Sequence, residues 1–231
     1  MFLRSALPAD HLSADSKDVI KVAMGLIGTM TALVLGLLIA SAKDSYDAKS
    51  HELNDLSANL VLLDRGLAHY GPETEPIRDL LHRTVVRILD QTWSKGSNRN
   101  SQQDPAAAGG EGMYDQIQAL SPKGDAQRSL QSQALAISLD IGRTRWLMFE
   151  QGTNSVATPF LVVLGSWLVL LFISFGLFAP RNPTVIGALL VGAASVSSAI
   201  LLILEMYKPF EGLIQISATP LRAALAHLGG Q

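Results

Sequence analysis

The side chains best suited to acid–base or metal chemistry are five histidines, His11, His51, His69, His82 and His227. Their spacing makes no metal-ligand pattern with one another or with carboxylates. The chain has no cysteine, which removes thiolate metal sites, cysteine nucleophiles and disulfide scaffolds together. No Gly-x-Ser-x-Gly elbow, phosphate loop or dinucleotide-type Gly-x-Gly-x-x-Gly occurs. The sequence therefore offers no catalytic residue, no metal site and no cofactor site, and reads as a protein that is not an enzyme. What it does offer is the chemistry of a surface. Gly25, Thr29, Ala32, Gly36 and Ala40 recur at spacings of four and three, which sets small side chains on one helix face, with Gly28 beside them. Such a face lets another helix approach closely. With Thr29 and Thr31 nearby, it is also suited to line a passive conduit, which Leu33 or Leu37 would narrow.

That face lies in the stretch VIKVAMGLIGTMTALVLGLLIASA, residues 19–42, which carries no charge between Lys21 and Lys43. As a helix it reaches about 36 Å, enough to cross a hydrocarbon core of about 30 Å with some tilt. Two further apolar stretches, 159–178 and 184–204, follow near the C-terminus. The first is bulky, with Trp167, Phe172, Phe175 and Phe178. The second carries another small-residue face, Ala188, Gly192, Ser195 and Ala199. The reading is an all-α polytopic membrane protein with three transmembrane helices. Its N-terminal apolar run is too long for a signal-peptide core and is read as a retained span. No ionisable residue sits mid-span, which argues against a proton-coupled carrier but not against a passive pore. With 16% charged residues, the 231-residue chain is typical of a protein partly in lipid. Its net charge of −2 gives no basic footprint for nucleic acid.

Between the first and second spans, residues 43–158 read as an antiparallel helical layer. Leu53, Leu56, Leu60, Leu63, Leu67 and Tyr70 alternate spacings of three and four, a heptad-like seam that Gly71-Pro72 ends. Ile77, Leu80, Leu81, Thr84, Val85, Ile88 and Leu89 form a second stripe ending near Trp93, with Arg78, Arg83 and Arg87 expected on a solvated face. Residues 94–112 have almost no apolar content beyond small alanines and read as a flexible loop. Leu130, Ala134, Ile137, Ile141, Thr144 and Met148 mate with the first seam, and Arg143, Arg145 and Trp146 then stand as basic and aromatic anchors. Residues 1–18 form an N-terminal segment and 205–231 a tail. Near the spans, Lys43, Lys49, Arg143, Arg145 and Lys208 outnumber Lys17, Lys21 and Arg181 on the opposite side. The layer and tail are therefore expected in the cytoplasm.

The tail begins Glu205-Met-Tyr-Lys-Pro209-Phe210-Glu-Gly212-Leu-Ile214-Gln-Ile216-Ser217 and continues to Pro220-Leu221-Arg222. Pro209 ends the preceding helix, Gly212 permits a sharp turn, and Phe210, Leu213, Ile214 and Ile216 are suited to dock at the membrane surface. This Pro-Phe-x-Gly-x-Ile-x-Ile-Ser…Pro-Leu-Arg signature resembles the bacterial bestrophin-like integral membrane proteins, a family of largely uncharacterised function. GLIGTMTALVLGLLIASAKDSYD and the segment Leu63–Pro72 are similar to that family too, and the resemblance covers most of residues 10–228. Bestrophins proper are oligomeric anion channels with four spans per subunit, the second of which lines the pore and continues into a cytoplasmic helical domain. The resemblance implies that Val19–Ala42 corresponds to that span and that an earlier N-terminal span is lacking here. The acidic calcium-binding cluster of animal bestrophins is not found.

Two functions follow as expectations. One is an oligomeric passive channel in the bacterial inner membrane, with inorganic anions as its cargo and the bilayer and further copies of the chain as its partners. The other is a non-conducting scaffold whose heptad-patterned helices bind a partner or a second copy. A closed ring with the first spans facing its axis would favour the channel. A monomer whose seams pair with each other would favour the scaffold.

Overall fold

A computed structural model of the chain describes residues 14–93, 110–153, 158–178, 182–210 and 212–228. The described residues are helical and contain no strand. In order they form α1 (Ala14–Tyr70), a 3-10 turn (Pro72–Thr74), α2 (Glu75–Trp93), α3 (Gly110–Gln118), α4 (Asp125–Thr153), α5 (Thr158–Phe178), α6 (Pro183–Met206) and α7 (Thr219–His227). Residues 1–13 and 94–109, and with them most of the expected loop at 94–112, lie outside the described residues; 110–112 open α3. Three helices, α1, α5 and α6, are long and apolar enough to cross a membrane.

The chain divides into two units. One draws on Met1–Ser45 and Ser155–Tyr207, the other on Tyr46–Asn154 and Lys208–Gln231. We call them the membrane unit and the helical unit. Helix α1 contributes to both.

In the membrane unit the buried core is small: Leu38, Ala42, Leu164 and Ile203, flanked by Val34, Leu35, Leu161, Leu168 and Ile200. Most large apolar side chains point away from it, among them Leu26, Leu33, Val162, Leu190 and Val191. That is the inverse of a water-soluble bundle and suits helices whose outer solvent is lipid. The hydroxyls agree. Thr29 donates to Leu26 O at 2.8 Å, Thr31 to Ile27 O at 2.7 Å, Ser166 to Val163 O at 2.7 Å, and Ser195 and Ser198 to Val191 O and Ala194 O at 2.8 Å each. Each of these five hydroxyls thus finds its partner on its own helix.

The helical unit has a closed core. Leu56, Leu60, Leu63 and Leu67 of α1 pack with Ile77, Leu81 and Val85 of α2, and with Ile117 and Ala134 of α3 and α4. The two seams read in the sequence are therefore faces of one hydrophobic core. The end of α1 is tied down in detail. Gly71 has φ 139°, outside the range other residues adopt readily. The Thr74 hydroxyl donates to Leu67 O at 2.6 Å, and Gln127 of α4 donates to Tyr70 O at 2.9 Å, so carbonyls left over at the helix terminus are satisfied. Arg78 is not on a solvated face, as its place in the sequence suggested. It grips Asp64 with two bonds, Nε to Oδ1 at 2.7 Å and Nη2 to Oδ2 at 3.1 Å. Asp64 is buried, 1% exposed. The hydrogen-bonded carboxylate holds Arg78 above the ordinary arginine value.

Candidate functional site: the open face of the first helix and the docked tail

On α1, the side packed against α5 and α6 carries Thr31, Leu38 and Ala42, all buried. Gly25, Thr29, Ala32, Leu33, Gly36 and Leu37 are exposed, and Gly28 is half-buried. At about 100° per residue, Thr29, Ala32 and Gly36 lie roughly 140° round the helix from that packed side, while Gly25 and Gly28 line a hollow shared with Leu171 and Phe175 of α5 and Val185 of α6. A methyl group built at Gly25, Gly28 or Gly36 would meet no atom within 4 Å. The close helix approach that this stripe permits is thus not made within one chain. Leu33, 75% exposed, and Leu37 stand on the same open side. The Thr29 hydroxyl gives its proton to Leu26 O and so presents lone pairs outward.

The tail signature divides differently. Pro209 is buried, and its carbonyl accepts from Ile216 N at 2.7 Å, which closes a loop whose turn is Gly212, φ 85°. The Ser217 hydroxyl lies 2.6 Å from that of Thr219 and accepts from Thr219 N at 3.2 Å. Pro220 occupies the first turn of α7, where its missing N–H costs nothing. Leu221 is fully buried in the helical core, while Arg222 is exposed. Ile214 is half-buried. Leu213, 84% exposed, points outward from the turn.

Trp93, at the end of α2, organises this loop. Its indole N–H donates to Ile216 O at 3.0 Å, and its ring meets Phe210 edge-on, centroids 5.6 Å apart. Of the residues expected to dock at a membrane surface, Phe210 and Ile216 instead hold the tail to α2. In the sequence Trp93 stands only at the end of a stripe. The available signal was its single donor, which needs an acceptor when the ring is covered.

Among the described residues, no cluster of histidine, aspartate or glutamate is arranged to hold a metal ion. The site is thus a long apolar helix with an open small-residue face, continued in the same chain by a helical unit with its own core. The Bestrophin-like domain family matches residues 1–221. The chain belongs to the bestrophin-like family. No curated protein matches it. Two solved structures do, both point variants of a bacterial bestrophin homologue from Klebsiella pneumoniae. Each is 12% identical and covers 90% of this chain and 85% of that one, with TM-scores of 0.69 and 0.67. At that identity the likeness is one of fold: the all-helical architecture with its three candidate spans is that of a bestrophin.

Proposed function

We propose that this bestrophin-like protein is a passive pore assembled from several copies of the chain in the bacterial inner membrane. In this reading the open face of α1 surrounds the conduit, and Leu33 and Leu37 constrict it. The carrying observation is that a charge-free span presents its small residues to space its own chain does not fill. An apolar face of that kind is covered either by lipid or by further copies, and a ring of copies turns it toward a common axis. The family is channel-like rather than enzymatic, which supports the same reading. Inorganic anions are the proposed cargo. An anion needs a donor, so Thr29 would have to turn its proton from Leu26 O toward the passing ion. The excess of basic residues beside Lys43, Arg143 and Lys208 supports a cytoplasmic helical unit and tail.

The test is ion flux. Purified protein in liposomes holding a chloride-quenched dye is expected to admit chloride, and Thr29→Val is expected to slow it. Liposomes that contain well-folded oligomer and stay sealed to chloride would sink the proposal. The scaffold reading has one observation on its side, since the seams of α1 and α4 pair with each other inside the chain. That arrangement favours a scaffold only if the protein is a monomer, so a symmetric ring in mild detergent would remove it.

A further inference from the structure

The three spans of the membrane unit enclose a hollow of about 640 Å³. Met24 and Gly28 of α1, Leu171 and Phe175 of α5, and Val185 and Leu189 of α6 form its apolar walls. Ser174 also lines it, and Lys21 stands at its polar end. The same helices touch one another further along, where Leu38, Ala42, Leu164 and Ile203 form a buried core. From Gly28 to Leu38 is ten positions, about 15 Å along α1. The hollow is therefore a wedge that closes over that length. Phe175 is exposed, so the wedge opens sideways to the medium around the spans. A dry apolar gap forfeits dispersion contacts along its walls, and this lining offers water few partners. With lipid as the medium, the gap is filled from the bilayer. A helix, about 10–12 Å across with its side chains, is too wide for a gap that closes so soon. An acyl chain is thinner and bends.

The charge at the polar end is already answered. The Lys21 ammonium donates to Asp18 Oδ1 at 2.9 Å. Both side chains are mostly exposed, 69% and 74%, and an ion pair so open to water holds its partners weakly. Such a pair can exchange partners with a head that carries both charges. We propose that the wedge holds one acyl chain of a zwitterionic phospholipid whose head lies at the Lys21–Asp18 pair, its phosphate toward Lys21 and its ammonium toward Asp18. A head with only a negative charge would satisfy Lys21 and be repelled by Asp18, so ethanolamine is favoured over glycerol as the head alcohol. The inference rests on the three spans crossing a bilayer and is independent of whether the assembly conducts ions.

The test uses the full chain, reconstituted in equal parts of dioleoyl-phosphatidylethanolamine and dioleoyl-phosphatidylglycerol and then moved to mild detergent. Native mass spectrometry counts the phospholipids that stay with each chain. Gly28→Phe and Ser174→Trp each place a ring in the wedge, and a thermal midpoint beside wild type shows that they are folded. Wild type is expected to retain one phospholipid per chain more than either of them. Leu190→Phe, on an outward face of α6, is expected to retain as much as wild type. The extra lipid should be the ethanolamine over the glycerol form by about threefold, the worth of one exposed charge contact. Asp18→Asn, at an exposed position, should erase that preference and keep the lipid. Wild type that retains no more phospholipid than the two filled variants overturns the proposal, as does a wild-type preference for the glycerol form. A filled variant that changes oligomer size with no lipid lost would seat a second copy in the wedge, and overturns the proposal as well.

Discussion

The membrane unit and the helical unit are built from the same long helix by opposite rules. In the helical unit the leucines of α1 are buried at nearly every turn, the buried carboxylate of Asp64 is gripped by Arg78, and glutamines reach the leftover carbonyls. In the membrane unit Leu26, Leu33 and Leu37 of the same helix face outward, the Thr29 and Thr31 hydroxyls fold back on their own backbone, and a methyl group at Gly25, Gly28 or Gly36 would touch nothing. The first unit completes its core within one chain. The second leaves its surface to be completed by something outside the chain. Substitutions in the two units should therefore fail in different ways: loss of folding in one, loss of assembly or flux in the other.

The largest expected effect is in the helical unit. Arg78→Met leaves Asp64 charged and buried without its bidentate partner, and should cost about 3–5 kcal/mol, read as a lowered denaturation midpoint in nanodiscs. An unchanged midpoint would mean that Asp64 is reached by water. Leu63→Ala, at a fully buried position, should cost about 2–5 kcal/mol in the same assay. Next comes the tail. Trp93→Phe keeps the ring against Phe210 but strips Ile216 O of its donor, a loss of about 1–2 kcal/mol. Faster trypsin cleavage after Arg222 would show it. Gly36→Leu sharpens the contrast, because its side chain enters open space within the chain. It should leave the unfolding midpoint within about 0.5 kcal/mol while it lowers flux or changes oligomer size. If it unfolds the chain instead, the division between the two units fails.

The smallest effect tests surface electrostatics. The hydrogen bond from Lys123, at 2.9 Å, holds the Glu73 pKa below the ordinary carboxylate value and raises that of Lys123. A depressed acid stabilises the fold above its unfolded pKa and loses that contribution as pH falls through its folded pKa. Glu73→Gln should thus melt slightly below wild type at neutral pH. The gap should close as the solution is acidified through the depressed Glu73 pKa. Both side chains are well exposed, so salt should shrink the gap as well.

Much of the fold was legible in the sequence because apolar spacing reports packing directly. Leu53, Leu56, Leu60, Leu63 and Leu67, and Ile77, Leu81, Thr84 and Val85 of the second stripe, are buried where their periodicity put them. The three charge-poor stretches emerge as the three helices able to span a membrane. What spacing could not convey was pairing across elements. Arg78 has the surroundings of a surface arginine until the turn at Gly71-Pro72 brings it back to Asp64, fourteen positions earlier. Trp93 meets Ile216 across 123 positions, a contact no local pattern encodes. The small-residue stripe was legible as a face, but periodicity alone could not say whether α5 and α6 cover it. They pack on the side carrying Leu38 and Ala42, and leave a hollow against Gly25 and Gly28.

On the proposed function, this open stripe faces water at the axis of an assembly rather than lipid. The absence of native cysteine makes one measurement especially clean. Thr29→Cys, Leu33→Cys and Gly36→Cys would each be treated, in liposomes, with a charged, membrane-impermeant methanethiosulfonate reagent while chloride flux is followed. Val162→Cys, on an outward face of α5, serves as the lipid-facing control. Fast modification and blocked flux are expected at the three α1 positions, with an unreactive control. Equal inertness at all four positions, in protein that remains folded and oligomeric, would contradict it.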